Sequence, residues 1–252
     1  MNRKARRAAR AASKRHPAID LVIRVHEAGH AVGRYLIAEQ LGYKIEEAIS
    51  RIDLYLPLSG PTVTVRSEEL RSGGCTYGPR LSRELQEFIK SSEICVRSLE
   101  SLGHIELQKP EFVSLITAAR GAGIDIASWI HARSFSSVLG PMAEARLSEK
   151  PFMSVWLSPE SSGDLEELMQ EFNNCSMTPE QVSSILNTVI AEAQAAVNHP
   201  DVWRAIITLA DQLKSGRMPG RKAVEIIKEA LAADRRFGPK QTDSPPPLAT
   251  AA

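Results

Sequence analysis

The chain predicts a predominantly helical α+β domain, and three observations carry that expectation. Apolar residues recur at helical spacing through most of the chain beyond residue 80. One short stretch, 52–65, alternates with a period of two instead. No segment between 18 and 235 has the composition of a linker. The 252 residues suffice to bury a substantial core. The reading is one domain over 18–235, a basic flexible arm at 1–17 and a disordered Pro/Ala tail at 236–252.

Taken in order, Pro17 suits the first turn of a helix that runs to Leu41, with Gly42 as its stop. Ile52, Leu54, Leu56 and Leu58 then point one way along a strand. A turn at Gly60-Pro61 leads into Thr62–Val65, so a small hairpin or sheet should follow the first helix. The stretch Ser72–Pro79 reads as a loop or irregular edge strand. Helices are expected over about 81–102, 110–120, 124–139, 141–149, 163–173, 179–197, 200–215 and 220–233. The best marked start is at 179, where Thr178 caps, Pro179 opens the first turn and Gln181 completes a capping box.

The net charge of +1 conceals an asymmetry. Residues 1–16 carry seven Arg and Lys and no acid, which suits weak, sequence-independent contact with a polyanion or a plain solubilising arm. Three widely spaced cysteines, Cys75, Cys95 and Cys175, form no disulfide framework and no CxxC knuckle, and they fit a reducing compartment. No apolar run approaches the roughly 18–20 residues of a membrane span, and a secretory apolar core is missing at the start. The expectation is a cytoplasmic protein.

Chemistry concentrates in Val25-His26-Glu27-Ala28-Gly29-His30-Ala31, an HExxH on a predicted helix. Positions four apart share a helix face, so both imidazoles can reach one ion. Zinc accepts imidazole nitrogen at about 2.0–2.1 Å and leaves a coordination position for water in catalytic sites. Glu27, adjacent to the first ligand, is placed to take that water's proton during peptide-bond hydrolysis and to pass it to the leaving amine. Small neighbours support the reading. Gly29 and Gly33 in a helix interior cost roughly 1 kcal/mol each relative to alanine, which points to a packing or access requirement.

A third protein ligand is needed. Leu36 stands where HExxHxxGxxH would continue with histidine, so that class is excluded. Two candidates stay open on the residues alone. Glu47 lies 17 residues beyond His30, in a segment leading into the predicted strand; Asp164 lies near the start of a later helix.

At this point the chain resembles a known family. His26-Glu27-Ala28-Gly29-His30-Ala31 is similar to the HEAGHA signature of the M41 peptidases, the protease domain of FtsH-type AAA proteases. Gly140-Pro141-Met142-Ala143-Glu144-Ala145 resembles the family's GGRAAEE segment, and Ser162-Gly163-Asp164-Leu165 its SNDL segment. Trp203 to Leu231 is similar to its closing helices. The resemblance implies a zinc metalloendopeptidase with ligands His26, His30 and Asp164 and catalytic Glu27. It also implies a helical insertion at about 81–135, because His30 and Asp164 are 134 residues apart. No GxxxxGK(S/T) phosphate loop occurs, so the substrate class is peptides or already unfolded proteins, with a separate AAA ATPase as a candidate partner.

Several residues carry secondary expectations. Gly74, Cys75 and Thr76 could form an edge that pairs with an extended substrate peptide. Glu144 is read as a buttress of the site or a helix ion-pair partner. His104, His131 and His199 are read as surface or capping histidines, and Trp129, Trp156 and Trp203 as core. The competing functional class is a catalytically silent relative that keeps the metal and serves as a scaffold or docking protein.

Overall fold

The computed structural model describes residues 17–55, 73–77, 82–91, 116–158, 161–213 and 216–232. The basic arm, the Pro/Ala tail, the expected strand at 62–65, and 92–115 of the expected helices and insertion lie outside them.

The first helix, α1 (Pro17–Ile37), carries the HExxH. It ends one turn before the expected Leu41: Ala38 to Gly42 form tight turns, and Gly42 takes φ +75°, where glycine is the default residue. A single 3-10 turn (Ile45–Glu47) leads into strand β1 (Arg51–Tyr55). Strand β2 (Gly73–Tyr77) and helix α2 (Arg83–Ser91) follow. A helical stretch at 116–121 precedes α3 (Ile126–Ser148). The remaining elements are α4 (Phe152–Trp156), α5 (Ser162–Asn174), α6 (Pro179–Asn198), α7 (Pro200–Gln212), β3 (Gly216–Pro219) and α8 (Gly220–Ala232).

The molecule is thus predominantly helical with a small antiparallel sheet in the order β2-β1-β3. In β1, Ile52 and Leu54 are buried, as their alternation requires. Between them Asp53 accepts from Arg51 Nε at 3.0 Å and Arg217 Nε at 3.1 Å, which ties β1 to β3. The strand β3 falls between two expected helices and is too short to alternate visibly. The antiparallel partners of β1 among the described residues are β2 and β3.

Helix α3 is the axis of the fold. Fifteen of its 23 residues are buried, so it is covered nearly all round, and it packs against α1, α4, α5 and α6. Asp125 caps its start by accepting the Ser128 N–H at 3.0 Å. The expected break between 139 and 141 does not occur: Pro141 sits inside one continuous helix. Proline removes one i→i−4 hydrogen bond, but the burial of Leu139, Gly140, Pro141, Met142 and Ala143 holds the segment helical. The capping box at Thr178 forms as expected, with Gln181 N donating to Thr178 Oγ1 and Thr178 N donating to Gln181 Oε1.

The crossing of α1 over α3 depends on glycine. A Cβ at Gly29 would stand 2.7 Å from the Leu139 carbonyl oxygen and 2.9 Å from Gly140 Cα. At Gly33 it would reach Ser136 Cα at 3.0 Å. Backbones therefore touch here, with Val25, Ala28, Ala31 and Val32 fully buried beside the contact. Burial of this kind contributes on the order of 25 cal/mol per Å² of apolar surface, so α1 is held by packing rather than by helix propensity. On the other side of α1, Arg24 Nη1 donates to the Ala210 carbonyl of α7 at 3.0 Å. Trp129 and Trp156 are core residues as expected, and half-buried Trp203 stacks under Arg146, 4.2 Å from guanidinium carbon to ring centroid.

Candidate metal centre

Four residues on α1 and α5 make the site. His26 and His30, one turn apart on α1, face the first turn of α5, where Asp164 sits. Asp164 Oδ2 lies 2.9 Å from His26 Nε2 and 3.3 Å from His30 Nε2, and the two Nε2 atoms are 3.0 Å apart. Among the described residues, these three are the group of metal-ligating side chains whose donor atoms converge, all within 4.8 Å of one another. Glu27 is the fourth, only 5% exposed, with its carboxylate close enough to His26 to raise the imidazole's basicity.

The outer faces of both rings are also held. His30 Nδ1 donates to the Ser136 carbonyl at 2.8 Å, and His26 Nδ1 donates to Glu144 Oε2 at 2.8 Å. Both partners are acceptors, so each Nδ1 carries a hydrogen and each neutral ring turns its Nε2 lone pair inward. Two lone pairs 3.0 Å apart beside a carboxylate oxygen repel unless a cation joins them. A tetrahedral ion with bonds of about 2.0–2.2 Å separates its ligand atoms by about 3.3–3.6 Å. The observed triangle is a few tenths of an ångström tighter and fits such an ion after small ring movements.

The electrostatics give the same answer. Burial pushes His26 down, but the Asp164 and Glu144 carboxylates outweigh it and hold the imidazole up at about 10. Burial of Asp164 acts upward, yet its electrostatic interaction with the neighbouring imidazoles and the hydrogen bonds they offer hold its carboxyl well below the usual carboxylate range. The pocket demands positive charge, and a proton on His26 or a metal ion can supply it.

Helix α3 supplies the floor. A Cβ on Gly140 would lie 2.7 Å from Cδ2 and 2.5 Å from Cε1 of the His30 ring, and closer still to Nε2. The imidazole therefore rests directly on the Gly140 backbone. Gly140 and Glu144, one turn apart on α3, face the centre.

Of the residues anticipated from sequence, His26, Glu27, His30 and Asp164 come together, and Glu144 buttresses His26. Glu47, the alternative third ligand, does not take part. It lies in the 3-10 turn and accepts from Arg83 Nη2 at 3.0 Å, with both side chains exposed. The strand-leading segment holds that carboxylate in a surface ion pair, outside the converging group of His26, His30 and Asp164. Gly74, Cys75 and Thr76 lie on β2, in register with Leu54, Asp53 and Ile52, at one edge of the sheet among the described residues and packed against α1.

His131 pairs with Glu192 at 3.0 Å and His199 caps α7, as surface and capping roles require; His104 lies outside the described residues. Cys175 is buried and its thiol is pushed up to about 12 by that burial, which removes it as a nucleophile. Sequence reasoning missed the Ser136 carbonyl and the buried Arg133. Neither carries a local signal in the sequence, since the partners of Arg133 lie 34 and 38 residues away and the Ser136 carbonyl is a backbone group.

Comparison with protein-family models, curated proteins and solved structures finds no match to the chain.

Proposed function

We propose that this protein is a zinc-dependent metalloendopeptidase acting on peptides or unfolded protein chains. One observation carries the reading: Asp164, 134 residues along the chain from His30, contacts the Nε2 atoms of both HExxH histidines. Two imidazoles and one carboxylate are a ligand set that zinc favours, and an HExxH pair with one further carboxylate is the arrangement of zinc peptidases. The order of the segments, with its resemblance to the FtsH-type proteases, supports the same identity.

His26, His30 and Asp164 would hold the ion, which would acidify a bound water and polarise the scissile carbonyl. The rest is done by the chain. Glu144 and the Ser136 carbonyl fix the tautomers and ring planes of the two histidines, as second-layer partners do. Glu27 takes the proton of the attacking water and returns it to the leaving nitrogen, so no net proton is gained or lost by the protein. The edge strand β2 offers backbone groups along which an extended substrate can add as a further strand, with Gly74, Cys75 and Thr76 in the middle. A substrate in this mode must arrive extended, so folded proteins require prior unfolding, for which a separate AAA ATPase is the partner class.

The test is cleavage of an unstructured peptide, with a chelator control, by wild type and by Glu27→Gln. Glu27→Gln should keep the metal while cleavage falls by about 10²–10⁴-fold. Equal cleavage by the two proteins removes Glu27 from the chemistry. Metal binding with no cleavage by wild type leaves the silent scaffold as the better description.

A further inference from the structure

Arg133 is the most deeply buried charge in the described core, with a side chain only 2% exposed. It projects from α3 toward α5, where Nη2 donates to Glu171 Oε1 at 2.8 Å and, more weakly, to Glu167 Oε1 at 3.5 Å. Glu171 is itself largely covered, at 15% exposure, whereas Glu167 is open at 44%. The pair is poorly completed. Arg133 Nε and Glu171 Oε2 are buried without a protein partner among the described residues. A buried ion pair with unsatisfied atoms is a weak source of stability, because desolvation of both charges offsets much of their attraction. Fixing one helix against another in a single register is the better attested use of such a pair.

The spacing says which register. Glu171 lies seven residues after Asp164, two helical turns further along α5, so both carboxylates share one face about 10 Å apart. On α3, Gly140 lies seven residues after Arg133 and carries the His30 ring that Asp164 meets. The two helices run in opposite directions through these contacts, pinned at two points with matching separation. Between the pins, buried Leu168 points from α5 into the core, with Phe172 just beyond. Leu168 is apolar and tolerates sliding; the ion pair does not.

We infer that the buried Arg133–Glu171 pair is a positioning device for the metal centre: it sets the register of α5 on α3 so that Asp164 reaches the two histidines. The inference rests on the metal-centre reading but not on peptidase activity. One turn of slippage would carry Asp164 about 5 Å along the helix axis, well beyond ligand distance of either Nε2.

Cobalt(II) binding, followed by its visible absorption and by competition with a chromophoric chelator, gives a readout independent of cleavage. The doubly apolar variant Arg133→Met/Glu171→Leu removes the pair without leaving a lone buried charge. It should fold, as judged by circular dichroism and thermal melting, yet bind cobalt roughly 10- to 100-fold more weakly, with an altered absorption envelope. Asp164→Ala should weaken binding strongly in the wild-type background and little further in the double variant, a non-additivity that general loosening of the fold would not produce. Arg133→Lys, whose single nitrogen can replace Nη2, should retain most of the affinity.

A folded double variant with wild-type affinity and spectrum overturns the inference. So does a full additional Asp164→Ala effect in that background. Should the double variant fail to fold, Glu171→Gln and Arg133→Lys decide. Weakened binding in the first with retained binding in the second supports the positioning role, and unchanged binding in both contradicts it. Wild type that binds no cobalt or zinc refutes the metal centre itself, whereas wild type that binds metal but cleaves nothing refutes only the peptidase reading.

Discussion

Gly140→Ala separates two effects of opposite sign. In an exposed helix interior, replacing glycine with alanine stabilises by about 1 kcal/mol. At position 140 the added methyl would stand 2.5 Å from Cε1 and 2.7 Å from Cδ2 of His30. Ordinary carbon contacts begin near 3.5 Å, so the ring must withdraw by about 1 Å. Ligand positions tolerate only about 0.2 Å, and the 2.8 Å bond from Nδ1 to the Ser136 carbonyl must break as the ring moves. Loss of an outer-layer partner alone costs about 10- to 100-fold in metal affinity, so displacing a ligand should cost at least about 100-fold. Overpacking costs about 1–3 kcal/mol, partly offset by helix propensity, so melting of the chelated protein should shift only modestly downward. Chelator competition and thermal melting in excess chelator measure the two quantities separately. Wild-type metal affinity in Gly140→Ala would refute the placement of His30 on the α3 backbone.

Metal uptake should depend steeply on pH. His26 is held up at about 10 by Asp164 and Glu144, so at neutral pH the ion must displace its proton, and apparent affinity should rise about tenfold per pH unit until it levels near that value. A proton-release titration on zinc addition reads this directly, and a flat affinity from pH 6 to 9 would contradict it. The same shift works on the chelated protein. The raised folded value makes the protonated His26 a stabilising group whose contribution is full below about 6.5 and lost as pH rises toward about 10, which melting temperatures should show. Deletion of residues 1–15 should leave zinc content and cleavage unchanged while abolishing weak, salt-sensitive polyanion binding; loss of zinc would place the arm within the domain.

How much of this was legible in the sequence varies from element to element. Two histidines four apart on a helix share a face by local geometry, and the structure keeps them together as a candidate metal pair. The capping box at Thr178 was legible for the same reason, because all its parts lie within four residues. The candidate third ligand was not. Nothing local distinguishes Asp164 from Glu47; the resemblance to a family's segment order favoured it, and only tertiary packing brings it to the imidazoles. Pro141 was misjudged as a helix boundary because proline's local cost is visible in sequence while the burial that outweighs it is not. Arg133 carries no local signal of burial, since its partners lie 34 and 38 residues away. The strand β3 escaped notice because four residues between two helices show no period at all.

The most direct test of the central claim is elemental analysis of the purified full chain beside Asp164→Ala and Glu47→Ala. About one zinc per chain is expected in wild type and in Glu47→Ala, whose carboxylate is occupied with Arg83 at the surface, and a large loss of zinc in Asp164→Ala. Metal-free wild type, or zinc retained in Asp164→Ala and lost in Glu47→Ala, would contradict it.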